Sequence, residues 1–538
     1  MIRRLLGATA AVALLLSAGA AVAQDISAER LSDHIRTLAD DSFQGRFPGK
    51  VGEELTLKYL QAQYEAMGYQ PGGPDGSWLQ PVDLVRYTPS RAPTVSWKGH
   101  DGVAHTLTSA TDITLRPLTG EGAIQIADAP VVFAGFGIVA PERGWDDYGD
   151  MDLAGKIVVI LRGQPTAFGE DPNFYGAAEH KQAEAFKRGA LGVLTLVEGE
   201  GAEGRWRRAA FGASRARMTI AGAQTVSFNG SLNGPAAQAM AASHGGQLAA
   251  FVEKAKLGGA FKAMDTGVKL SLDIAENREV IRSHNLLAKL PGTTRADEYV
   301  VYSAHWDHIG LSDKPNDAGD AINNGAWDNA SGTAGVLEVA RALKAGPALA
   351  RSIIFLHVTA EEQGLLGSQW YAENPVYPLA KTAADINIDM LPFTPATTTV
   401  ALFGIGKSSL EDDLAALAAK QGGRTIVGDG EPEQGFYYRS DHFNFAMGGV
   451  PAIMPWTSVD FAQGGAAVGK PYYLKQMEDF YHGPEDEWRA DIDYTAAVQN
   501  LQLLVQLGQQ VANSDQWPQW KPDAEFRALR EQTADQRR

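Results

Sequence analysis

The sequence predicts an α/β protein: a main sheet covered by helices on both faces, interrupted by a smaller β-rich unit. Three observations carry this. After residue 280, apolar strands alternate with amphipathic helices. Polar and acidic side chains stand where several of those strands stop, the place where such sheets build their sites. Between about 127 and 275 the chain instead forms short strands rich in glycine and alanine.

The elements follow in order. MIRRLLGATAAVALLLSAGAAVAQ sets Arg3 and Arg4 before an apolar stretch that ends in Ala21-Val22-Ala23. This is the pattern of an export signal spanning residues 1–23, and the stretch is short for crossing a bilayer. Removing those two positive charges takes the formal charge from −17 to −19. Residues 24–126 open with two helices around a Gly/Pro-rich loop at 45–52. The second helix has Leu55, Tyr59, Leu60 and Tyr64 at helical spacing and stops at Gly68. Residues 77–119 read as strands. The unit at 127–275 contains APVVFAGFGI, KIVVILRG, a helix near 179–188 and GALGVLTLV.

Residues 276–515 carry strands at 299–307, 352–359, 384–390, 398–404 and 450–456, with helices at 330–345, 408–421 and 494–513. The polar end, 516–538, reads as a peripheral tail.

The totals narrow the function. A chain of 538 residues exceeds one ordinary core. A charge of −17 argues against nucleic acid or an anionic membrane as the main partner. The absence of cysteine excludes disulfides, thiolate zinc sites, a cysteine nucleophile and a lipidated N-terminal cysteine. With the export signal, this leaves a soluble bacterial periplasmic or secreted protein without a membrane anchor.

The stretch SIIFLHVTAEEQG raises the functional question, because a buried strand ends there in adjacent glutamates, Glu361 and Glu362. Neighbours on a strand face opposite sides, so both can serve one site only if the chain turns. They have company at other strand ends and loops: His305 and Asp307, Asp328 in GAWDNASG, Asp389 and His482. Histidines and carboxylates without cysteine suit zinc or a similar divalent ion. They exceed the three protein ligands of one catalytic zinc, and two ions sharing a carboxylate resolve the excess. One glutamate can then bind metal while its neighbour accepts a proton from water.

YSAHWDHIG, GAWDNASGTAGVLEVAR, TAEEQGLLGS, INIDM, YRSDHFNF and YHGPEDEW, in this order, resemble the co-catalytic di-zinc aminopeptidases. That superfamily also holds glutamate carboxypeptidases and the transferrin receptor, with glutaminyl cyclases as relatives. The resemblance covers about 280–510 and LADDSFQGRFPGKVGEE, while 127–275 look like the protease-associated insert of many members. It implies a zinc exopeptidase fold, with a mainly parallel mixed sheet, and peptide substrates. It makes Asp328 the bridge between two Zn²⁺, with His305 and Asp389 on one ion and Glu362 and His482 on the other. Glu361 would be the general base and Asp307 the partner that orients His305. In some relatives a tyrosine before the SDH motif assists the oxyanion, and Tyr437 and Tyr438 both stand there.

Ordinary roles compete for several of these residues. His308 reads as structural, His357 as a hydrogen-bonded core histidine, and Asp441 and His442 as braces, with His442 an alternative ligand to His482. Asp328 suits a helix N-cap as well as a metal. Asp146, Asp147 and Asp150 read as an acidic turn, not a calcium loop. Aminopeptidase action is the first reading. Arg439 keeps a carboxypeptidase open, since a terminal carboxylate needs a cation. A glutaminyl-cyclase-like transferase and a non-catalytic receptor-like module are the remaining alternatives.

Overall fold

The computed structural model describes residues 26–119, 122–257, 261–312 and 314–537. The leader at 1–23 lies outside the described residues. No helix among them is long and apolar enough to cross a membrane.

The main sheet is parallel at its centre. Strand Arg295–His305 lies between Arg351–Val358 and Thr382–Asn387, and Ala452–Trp456 continues beyond the last, all parallel. Its margins are antiparallel, through Met264–Leu290 on one side and Thr399–Phe403 on the other. Arg351–Val358 is buried along its whole length, as its mainly apolar run requires in a sheet covered on both faces. Helices Ser331–Ala345 and Thr495–Asn513 pack against each other and against the strand Arg295–His305. Nearly every residue of Ser331–Ala345 is buried, so it is a core helix and not a half-wetted one.

Because the central strands are parallel, their C-terminal ends share one edge of the sheet. His305, the turn after Val358 and the segment after Asn387 therefore arrive side by side.

A second core gathers Val95, Leu115, Val131, Ile157, Leu196 and Ile274 with the helices Gly234–Ala242 and Leu248–Lys256. It draws on strands Thr94–Lys98, Ala104–Leu107 and Ile113–Pro117, which precede residue 127. Strand Met264–Leu290 is 27 residues long and pairs in both units, with Ala123–Phe133 at one end and Arg351–Val358 at the other.

The C-terminal segment corrects the expectation of a peripheral tail. Trp520 and Phe526 are buried in the main core, and Trp520 Nε1 donates to the Gly449 carbonyl at 2.9 Å. Buried Arg530 donates to the Thr382 carbonyl at 2.9 Å. The segment is polar on average, but a few large anchors suffice to dock it.

Candidate metal centre

The adjacent glutamates are resolved by the backbone. Ala360 adopts a left-handed conformation, φ 52°, so the chain turns immediately after the strand. Glu361 and Glu362 then point into one cleft. The turn is fixed by the Glu361 N–H, which donates to Asp307 Oδ1 at 3.0 Å.

Asp328 lies in a tight turn before helix Ser331–Ala345. It does not cap that helix; Asn329 Oδ1 accepts the Gly332 N–H at 2.8 Å and the Met390 N–H at 3.1 Å. Asp328 is thereby free to face two imidazoles. Its Oδ1 lies 3.3 Å from His305 Nε2 and its Oδ2 lies 3.0 Å from His482 Nε2. Asp389 Oδ1 is 3.3 Å from His305 Nε2, and Glu362 Oε2 is 3.2 Å from His482 Nε2. Ligands about 2.1 Å from a tetrahedral cation stand roughly 3.4 Å apart, so these separations fit donors arranged round an ion. His305, Asp328 and Asp389 form one such group, and the donor chemistry of imidazole and carboxylate fits zinc.

The five expected ligands therefore converge, and the structure adds a sixth side chain. His308, read as structural from sequence, places Nδ1 2.6 Å from Glu362 Oε1 and groups with Asp328 and Glu362. It fixes the carboxylate oxygen that faces away from His482. His442 stays outside both groups, packed against the Tyr437 ring with centroids 4.7 Å apart.

Asp307 supports the site differently from expectation. His305 Nδ1 lies 3.1 Å from the Asp307 carbonyl, while the Asp307 carboxylate is 3.8 Å away. The main chain orients the imidazole, and Asp307 Oδ1 accepts the Glu361 N–H instead.

Two supports gave no signal in the sequence reading. Buried Asp486 accepts the Trp327 N–H at 2.8 Å and the Asp328 N–H at 3.0 Å, holding the turn that aims Asp328. Arg46 is fully buried and its guanidinium donates to four carbonyls: Trp306 at 2.9 Å, Leu38 at 2.8 Å, Asn324 at 2.5 Å and Gly325 at 2.8 Å. It ties the loop after His305 to the turn before Asp328. Gly45 permits this approach, since φ is +65° and a Cβ there would lie 2.4 Å from the Asn323 carbonyl oxygen. Asp486 sits inside YHGPEDEW and Arg46 inside the Gly/Pro-rich loop, so the motifs contain them without marking them.

The two glutamates are driven apart electrostatically. Burial pushes Glu361 well above the usual carboxylate range. Glu362 is equally buried, yet His308 and His482 hold it down to about 2. Burial also raises Asp307 to about 8 and Asp441 to about 7.

Of the two tyrosines before SDH, Tyr437 is buried behind the cleft. Tyr438 lines it, with its hydroxyl donating to Glu525 at 2.8 Å. Tyr481, unmarked in the sequence reading, also lines the cleft and stacks on His482 with centroids 3.9 Å apart.

Residues 285–507 match peptidase family M28. Aminopeptidase NAALADL1 of Mus musculus is 33% identical over 26% of this chain and 18% of its own length. Aminopeptidase YwaD of Bacillus subtilis is 27% identical over 38% of this chain and 39% of its own. The chain thus spans at most about two fifths of these curated relatives. The solved aminopeptidase from Aneurinibacillus sp. strain AM-1 is 20% identical, covering 93% of this chain and 95% of that one, with a TM-score of 0.49.

Proposed function

We propose that this M28 peptidase is a zinc-dependent exopeptidase that removes N-terminal residues from peptides. Asp328 carries the reading: each of its oxygens faces a different imidazole, His305 at 3.3 Å and His482 at 3.0 Å, as a bridge between two cations requires. His305 and Asp389 would hold one zinc ion, and Glu362 and His482 the other. When bound, the ions polarise the scissile carbonyl and make water a better nucleophile at neutral pH.

The remaining work belongs to the chain. Glu361, raised by its burial, accepts the proton of the attacking water and passes it to the departing amine. Glu362, held ionised, stays a ligand. Asp307 and Arg46 keep both glutamates and His305 in register.

The reading is tested on a panel of amino-acid arylamides, free peptides and N-blocked peptides, with and without chelator, identifying products by mass. Chelator-sensitive loss of N-terminal residues supports it. Loss of C-terminal residues would favour the carboxypeptidase alternative, for which Arg439 lines the cleft over the Phe436 ring at 4.9 Å. No hydrolysis at all would leave the receptor-like reading, and cyclisation of N-terminal glutamine without hydrolysis the transferase. We infer export to the periplasm or medium from the Arg3-Arg4, apolar run and Ala21-Val22-Ala23 pattern; a mature protein beginning near Gln24 is the expected result of N-terminal sequencing.

A further inference from the structure

The cleft that holds the metal centre has a volume of about 860 Å³ and reaches from the sheet edge to the inserted unit. Two arginines line it as well. Arg116 lies in strand Ile113–Pro117, opposite Asn229, and Arg217 begins strand Arg217–Ile220, opposite Tyr87. Arg116 is close enough to oppose the charge on Arg217.

This pair is anomalous for the chain. The other deeply placed arginines spend two to four hydrogen bonds each: Arg46 on four carbonyls, Arg351 on Glu298 and two carbonyls, Arg424 on Gln421, Thr397, Thr399 and Asn500, and Arg530 on the Leu379 and Thr382 carbonyls. Among the described residues, neither the Arg116 nor the Arg217 side chain has a hydrogen bond or an ion pair, and Arg217 Nε is buried without a partner. Burial lowers both, Arg217 to about 10. The acid that acts on Arg217 is Glu276, whose own burial raises it to about 7 and weakens its compensation. Glu179 and Glu373 also line the cleft, Glu373 held by Gln369 Nε2 at 2.8 Å, and neither is paired with an arginine. In a protein with 64 acidic against 47 basic residues, leaving two cations half-buried and unpaired is costly unless an anion arrives from outside.

We propose that Arg116 and Arg217 form a carboxylate-binding subsite for the downstream part of a peptide substrate. The proposal rests on the exopeptidase reading for its orientation. The substrate's amine lies among the carboxylates of the metal centre, so the group that reaches the two arginines is a carboxylate, either the peptide's C-terminus or an acidic side chain. Guanidinium is the group suited to take it, by paired charge-assisted hydrogen bonds. The two arginines thereby select short or acidic peptides.

The test uses R116Q, R217Q and the double variant in the full-length zinc-loaded protein. Substrates are a leucyl arylamide, Leu-Gly-Gly, Leu-Gly-Gly amide and Leu-Gly-Asp amide. Relative to the arylamide, kcat/KM for the carboxylate-bearing peptides should fall about ten- to hundredfold in the double variant, mainly through KM. A fall confined to Leu-Gly-Gly assigns the C-terminal carboxylate, and one confined to Leu-Gly-Asp amide assigns the side chain. An equal fall on all four substrates, or none, overturns the subsite. Calorimetric binding of the same peptides to E361Q with and without the arginines gives a readout independent of turnover. Arginine-dependent binding by a wild type that releases no N-terminal residue would defeat the exopeptidase reading alone.

Discussion

The Glu361 main-chain N–H donates to the Asp307 carboxylate at 3.0 Å, so the turn bearing both glutamates is anchored to the loop that follows His305. Removing the acceptor leaves a buried donor unpaired and frees the turn. Asp307→Ala is therefore expected to lower metal affinity or kcat by about 10–100-fold, the usual cost of losing such a support. Asp307→Asn keeps an acceptor oxygen and should lose less. Competition with a graded chelator and steady-state rates give the two numbers.

The glutamates themselves should separate cleanly. Glu361→Gln is expected to retain metal while kcat falls by about 10²–10⁴-fold, since a general base is lost and the fold is not. Glu362→Gln removes a charge that His308 and His482 hold ionised, so bound metal falls first. Elemental analysis beside turnover distinguishes them. The reversed pair of phenotypes would exchange the roles of base and ligand.

Arg46 tests how far the site depends on a residue that touches no ligand. Lysine retains the charge but not the planar fork, and cannot reach four separate carbonyls. Arg46→Lys should destabilise the protein by about 2–4 kcal/mol, because buried acceptors lose their donors. The same variant should bind zinc more weakly, since the loops carrying His305 and Asp328 are joined through this guanidinium. Denaturant melts of the metal-free protein isolate the first effect.

The sequence made legible whatever is periodic or chemically conspicuous. The apolar run of Arg351–Val358 and the His, Asp and Glu residues at strand ends were readable because burial and coordination restrict residue type strongly. His308, Asp486 and Arg46 were not, because their value lies in partners more than 50 positions away or in main-chain atoms any residue would supply. The docked C-terminal segment escaped for a related reason: Trp520 and Phe526 are isolated among polar residues, so no period reports them. The role of Asp307 was half-legible. Its place near His305 followed from two-residue spacing, whereas the turn that claims its carboxylate depends on the left-handed Ala360.

His357 supplies a pH test at a residue outside the proposed ligand set. It lies mid-strand and fully buried, with Nε2 2.8 Å from the Tyr64 hydroxyl, the hydrogen-bonded core role its neighbours Leu356 and Val358 suggested. Burial pushes its pKa down to about 3, against 6.5 for an exposed imidazole. The folded chain thus keeps it neutral where the unfolded chain takes up a proton. Stability is lost as pH falls through 6.5 toward 3, and at pH 5 the loss from this group is about 2 kcal/mol. His357→Gln retains an amide for Tyr64 and cannot titrate. Its melting temperature should be lower than that of wild type at pH 7, yet decline less between pH 7 and pH 5. Parallel acid slopes for the two proteins would show that His357 is protonated, or free of strain, in the folded state.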